Sequence, residues 1–187
     1  MQEHLDIQYW MERVALFNDE SAFEKIFLHY NADLYRLAFS FVRSKEISEE
    51  IISDTFVNIW RNRARLLEID NLKLYLYVSV KNLSIKYLSR NKTGHLISLD
   101  EIIINSSAAS VITPEDQLVS KEITKIIEEA ISSLPPKCRL IFRLVREHGL
   151  KYREVSQLLN ISVKTIDAQM AIAAKRVSQS IRLRLPK

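Results

Sequence analysis

The sequence predicts an all-α protein built of two helical domains joined by a linker. Three observations carry this. The 187 residues include only 2 Gly and 4 Pro, while hydrophobic residues, rich in Leu, Ile and Ala, make up 47%; tight-turned β folds need more turn residues than that. Apolar positions recur at helical spacing over long runs on both sides of a central segment where the period fails. That segment, residues 93–117, has the Ser, Asn and Pro chemistry of a linker. The predicted boundaries are residues 1–92 for the first domain and 118–187 for the second.

The elements follow in order. Ser21 precedes a periodic run (Phe23, Ile26, Phe27, Tyr30, Leu34, Leu37, Ala38, Phe41) and reads as the N-cap of a helix, with Glu24 completing a capping box. A second helix is expected from Ser48 through Ile51, Ile52, Thr55, Phe56, Ile59 and Trp60, after a polar connection over Arg43 to Ile47. A polar loop, Arg61 to Asn71, leads to a denser helix starting at Leu72 and running past Leu88. In the linker, Ile97, Leu99, Ile102, Ile103 and Ile104 are too apolar for a free chain in water, and are expected to dock on a domain or a partner.

Beyond Pro114 a helix is expected from Glu115 to Ser133, and the next starts at Pro136, where a helix tolerates proline. Two further helices, Tyr152 to Leu159 and Val163 to about Leu183, are joined by Asn160-Ile161-Ser162. This is a helix-turn-helix pattern: Asn160 tolerates the left-handed turn and Ser162 caps the second helix. Val155, Leu158, Leu159, Ile161 and Ile166 are expected to hold the two together.

Net charge is only +4, yet bases gather from Lys137 onward while the first thirty residues and the stretch from Asp100 to Glu129 lean acidic. A polyanion suits the basic half. Lys164, Thr165, Asp167, Ala168 and Ala171 are candidate readers of base edges, and Arg153, Lys175 and Arg176 suit phosphates. The bland alternative is a three-helix domain with a solvated basic face.

The third helix of the first domain concentrates Tyr75, Tyr77, Lys81, Asn82, Lys86, Tyr87, Arg90 and Lys92. Aromatics and bases on one surface can stack and hold single-stranded nucleic acid; alternatively the tyrosines are core and the lysines merely solvated. Glu49, Glu50, Asp54 and Asn58 form a polar face opposite Ile52, Phe56 and Ile59, by itself an ordinary wet helix face.

Enzymatic readings find no support in the residues. His4, His29, His95 and His148 lack metal-ligand spacing, and no Gly-rich phosphate loop or nucleophile elbow occurs. No cofactor, metal or small-molecule substrate is expected. The single cysteine, Cys138, fits a core thiol in a reducing compartment. With no secretory leader and no apolar run long enough to span a bilayer, the expected location is the cytoplasm.

Taken in order, the segments resemble the extracytoplasmic-function (ECF) sigma factors, particularly those common in the Bacteroidetes lineage, over most of the chain. SAFEKIFLHYNADLYRLAFSFV is similar to the first part of sigma region 2, and SEEIISDTFVNIWRNR to the part that grips the polymerase clamp. YLYVSVKNLSIKYLSR resembles the promoter-melting segment that reads the minus-ten element. LPPKCRLIFRLVREHGLKYREVSQLLNISVKTIDAQM resembles region 4, which binds the minus-thirty-five element and the polymerase flap.

The resemblance implies partners: core RNA polymerase at its clamp and flap, promoter DNA, and a membrane-linked anti-sigma factor. It implies that Glu50, Ser53 and Asp54, with Asn58 on the same face, meet the clamp. Tyr75, Lys81, Asn82, Lys86 and Arg90 would serve the opened minus-ten strand, with a flipped base held near Arg61 to Asn71. Lys164, Thr165, Asp167, Ala168 and Ala171 would face the minus-thirty-five duplex.

Departures from the family pattern are Tyr75 for the usual Trp, Lys86 for the usual acid, and Asp167 and Ile172 where bases are common. The apolar run Ala171-Ile172-Ala173-Ala174 suggests a protein cover, by an anti-sigma factor or the polymerase. Two rival readings are a helix-turn-helix regulator that acts without replacing sigma on the polymerase, and a helical adaptor that binds only proteins.

Overall fold

The computed structural model describes residues 2–91 and 121–184, and the described residues are helical throughout apart from short turns. They belong to two compact units, Met1–Ile97 and Ser98–Lys187. The predicted linker, Lys92 and the start of the helix expected at Glu115 lie outside the described residues.

The first unit contains α1 (Gln2–Phe17), α2 (Glu20–Val42), α3 (Lys45–Arg61), a 3-10 segment (Arg63–Glu68) and α4 (Leu72–Asn91). Helix α2 is central and packs on α1, α3 and α4. Ile26, Leu34, Leu37 and Ala38 of α2 and Leu76, Tyr77 and Val80 of α4 are all buried, and the two helices pack on each other.

Helix α1 has no counterpart among the expected elements. It leaves Tyr9, Leu16 and Phe17 exposed and buries only Met11 and Val14 among its described side chains, so its apolar period is weak. Its end is sharp: Asn18 turns the chain in the left-handed region (φ 53°), and Asp19 already caps α2.

Two expected helix starts are corrected. The N-cap of α2 is Asp19, whose carboxylate accepts from the Ala22 amide at 3.0 Å, while Ser21 is exposed in the first turn. Arg13 of α1 also pairs with the Asp19 carboxylate, at 2.9 Å. Likewise α3 is capped by Ser44, which accepts from the Ile47 amide. Ser48 lies one turn further on, buried, donating its hydroxyl to the Ser44 carbonyl at 2.6 Å. The expected polar loop is largely the 3-10 segment, pinned by the buried Leu66.

The second unit contains α5 (Lys121–Ser132), α6 (Pro136–Arg146), α7 (Tyr152–Leu159) and α8 (Val163–Arg184). Helix α8 packs on all three others. Ala130, Ile131, Leu134, Cys138, Ala173 and Val177 make one buried cluster, so the expectation of Cys138 as a core thiol holds. Its thiol donates to the Gln169 carbonyl at 3.3 Å, and burial pushes its pKa up. Arg143 ties α5 to α6 through Glu128 at 2.9 Å. Gly149 takes φ 63°, a conformation open to glycine without cost, and carries the chain from α6 into α7.

Candidate nucleic-acid interfaces

The turn between α7 and α8 is built as its residues predict. Asn160 sits at φ 53°, ψ 47° and closes α7 with its amide on the Ser156 carbonyl. The Ile161 amide donates to the same carbonyl at 3.2 Å, and the Ser156 hydroxyl returns a bond to the Ile161 carbonyl at 2.5 Å. Ser162 accepts from the Thr165 amide at 3.0 Å, capping α8. Val155, Leu158, Leu159 and Ile166 are fully enclosed and Ile161 is half-buried, which locks the two helices at one angle.

The side chains singled out on this unit are mostly at the surface. Arg153, Lys164, Asp167, Ala168, Ala171, Lys175 and Arg176 are exposed. Thr165 is half-buried, its hydroxyl engaged with Ser162 at 2.8 Å, so it belongs to the cap as much as to a reading face. In the apolar run after Gln169, Ala173 is core, while Ala171, Ile172 and Ala174 are exposed.

On the first unit, Glu50, Ser53, Asp54 and Asn58 lie together on the exposed face of α3, joined by Glu49 and Val57. Beside them runs a groove of about 780 Å³ between α2 and α3, whose floor is Phe23, Phe27, Ile52, Phe56 and Trp60 and whose rim includes Glu20, Glu49 and Arg61. Its aromatic rings pack edge to face or tilted, with centroids 4.8 Å apart for Phe27 and Phe56 and 5.0 Å for Phe23 and Trp60. From the sequence these rings belong to the apolar runs of two helices; only α2 crossing α3 shows that one side of them stays open.

Helix α4 sorts its candidates. Tyr75, Asn82, Lys86 and Arg90 are exposed at spacings that put them on one ridge. Lys81 lies on a flank, half-buried, and burial lowers its pKa. Tyr77 is fully buried, so of the two readings open for it the core one holds. Burial first, and then the Asp33 carboxylate of α2, push its phenol well above the ordinary tyrosine range. Tyr87 is half-buried.

At the Tyr75 end of the ridge a second cavity, about 360 Å³, opens between α3, the 3-10 segment and α4. Ile59, Leu66 and Ile69 form its apolar wall, and Asn62, Arg65 and Glu68 its polar edge. Arg63 holds the segment from behind: it donates to the Trp60 carbonyl at 2.9 Å and to the Asn18 side chain, and lies 4.7 Å over the Trp60 ring. The wall residues were missed from sequence because they are separate in the chain.

Among the described residues no three His, Cys, Asp or Glu side chains are grouped to hold a metal ion, and no helix is long and apolar enough to cross a membrane.

A capped helix-turn-helix with an exposed basic surface defines the second unit as a DNA-binding unit. Residues 124–177 match the family Sigma-70, region 4, and residues 26–93 match Sigma-70 region 2. The chain is 23% identical over 170 residues to the ECF RNA polymerase sigma factor SigW of Bacillus subtilis (strain 168), covering 88% of this chain and 91% of that one. It is 22% identical over 187 residues to the ECF RNA polymerase sigma-E factor of Escherichia coli (strain K12), covering 97% of both. The fold resembles CnrH in its complex with the cytosolic domain of CnrY (TM-score 0.57, 16% identity, 96% of this chain and 99% of that one). It also resembles the sigma factor RpoE in complex with the anti-sigma factor NepR from Bartonella quintana (TM-score 0.55, 18% identity, 87% and 98%). The chain belongs to the ECF sigma factors, with regions 2 and 4 of the sigma-70 family, and its function is to direct transcription initiation.

Proposed function

We propose that the chain joins core RNA polymerase, presents two DNA-reading surfaces to a promoter and helps open the duplex, while the polymerase carries out the chemistry. The observation that carries this is the pairing, in one chain, of a capped helix-turn-helix with a helical unit whose exposed ridge ends at a cavity. The proposed division is residues 1–92 for polymerase binding and the minus-ten element, 93–117 as linker, and 118–187 for the minus-thirty-five element.

Glu50, Ser53, Asp54 and Asn58 form the proposed contact with the polymerase clamp, and the aromatic groove beside them adds the apolar part that an interface core needs. Tyr75, Asn82, Lys86 and Arg90 line the path of the opened minus-ten strand, with Lys81 at its flank. The cavity beside Tyr75 is large enough for one flipped base. On region 4, α8 enters the major groove with Lys164, Thr165, Asp167, Ala168 and Ala171, and Arg153, Lys175 and Arg176 meet phosphates. Region 4 also meets the polymerase flap. The proposed regulator is an anti-sigma protein, in keeping with the complexes in which the two similar folds are seen. A place near the factors of the Bacteroidetes lineage belongs to the same proposal and rests on the residue pattern alone.

The test is run-off transcription with core RNA polymerase on fragmented genomic DNA of the host. The expected result is a set of transcripts that need this chain and vanish with Glu50→Lys combined with Asp54→Lys. Duplex binding without any polymerase-dependent transcript would favour a regulator that acts without replacing sigma.

A further inference from the structure

The outward surface of α8 has a chemistry that limits what it can read. Ile166, Met170, Ala173 and Val177 face the core of the unit. Opposite them, Lys164, Ala168, Ala171 and Lys175 follow one another at helical spacing, and all four are exposed. The ridge therefore has a cation at each end and two methyl groups in the middle.

Guanine is read most often by a bidentate Arg or Lys, and adenine by Asn or Gln. From Val163 to Ala174 the exposed positions of α8 hold no Arg, Asn or Gln, and the one exposed Lys there, Lys164, stands at the end of the ridge and not at its centre; Gln169 is half-buried on the flank. An alanine methyl has one favourable partner in the major groove, the C5 methyl of thymine. Two alanines in the centre also let the helix lie deep, because no long side chain holds it off. Asp167, exposed beside them, offers only acceptors to the O6 and N7 acceptors of guanine, whereas the amino groups of cytosine or adenine can donate to it.

We propose that Ala168 and Ala171 are specificity-determining residues that select thymine-bearing base pairs at the centre of the upstream duplex element through methyl-to-methyl contact, with Asp167 disfavouring guanine. The inference rests on the reading above, in which α8 enters the major groove. It departs from the sequence-based expectation that a protein covers this run.

The full chain with core RNA polymerase is used to select binding sites from duplexes randomised upstream of an invariant minus-ten segment, and selected sites are then remade with deoxyuridine for thymidine. Two central thymine-bearing pairs are expected, and removal of each methyl is expected to weaken binding about fourfold, from the transfer free energy of one buried methyl-sized group. Ala171→Arg, at an exposed position, is expected to replace one selected thymine with guanine. A selected element with central guanine, or deoxyuridine sites bound as tightly as thymidine sites, overturns the inference and leaves promoter reading intact. An Ala171→Arg chain with unchanged base preference overturns it too, and indicates a protein cover on the ridge. Recovery of no upstream element at all overturns both the inference and the reading beneath it.

Discussion

Asp19 shows how one side chain fixes a junction. Its carboxylate accepts from the Ala22 amide and pairs with Arg13, and these two interactions hold its pKa below the ordinary carboxylate value. A folded-state pKa that is lowered means stability present above the unfolded pKa and lost as pH falls through the folded one. The contribution of Asp19 to the stability of the first unit is therefore expected to fall away as pH drops from the ordinary aspartate value through the lowered one, and Asp19→Asn, which keeps the cap acceptor, is expected to flatten that part of the pH profile. Circular dichroism across pH 2 to 6, the window where carboxylates titrate, checks it. Asn160 makes the complementary case. At φ 53° an Ala pays the left-handed penalty of about 1 kcal/mol that Gly avoids, so Asn160→Ala is expected to lower the melting temperature of the second unit and Asn160→Gly to preserve it.

At the scale of elements, the 3-10 segment depends on neighbours. Its hydrogen bonds to α3 and to the α1–α2 turn run through Arg63, whose guanidinium also covers Trp60. Helix α1 packs on the segment and so backs one wall of the cavity beside Tyr75. Loss of a charged donor's hydrogen bonds costs on the order of 1.5 kcal/mol, and Arg63→Ala is accordingly expected to reduce promoter opening about tenfold. Permanganate reactivity of thymines in the opened strand measures this. The upstream duplex footprint is expected to stay unchanged, because α8 lies in the other compact unit.

For the whole molecule, charge is divided more unevenly than a net +4 suggests. Arg153, Lys175 and Arg176 are all exposed on the second unit, where cations release counterions from a duplex. Replacing the three with Gln is expected to make the plot of log affinity against log salt shallower by about 2 to 3, near 0.9 for each phosphate that is no longer neutralised. Promoter affinity of the chain with core polymerase, titrated from low to physiological salt, gives that slope. An unchanged slope would show that these three residues do not neutralise phosphates.

Local chemistry made much of this protein legible. The helical period, Pro136 at a helix start, Asn160 in its turn and Ser162 on its cap each act over a few residues, so the all-α class and the helix-turn-helix could be read from neighbours in the chain. Tertiary structure decided the rest, because the deciding partner was distant. Asp19, which caps α2 in place of Ser21, is also held by Arg13 from another helix. Helix α4 is apolar on more than one side, and only its packing against α2 and α3 shows that Tyr77 is core, Lys81 half-buried and Tyr75 exposed. The aromatic groove and the cavity beside Tyr75 exist where separate helices meet, and a periodic pattern along one helix carries no record of which part of its apolar face its neighbours leave uncovered.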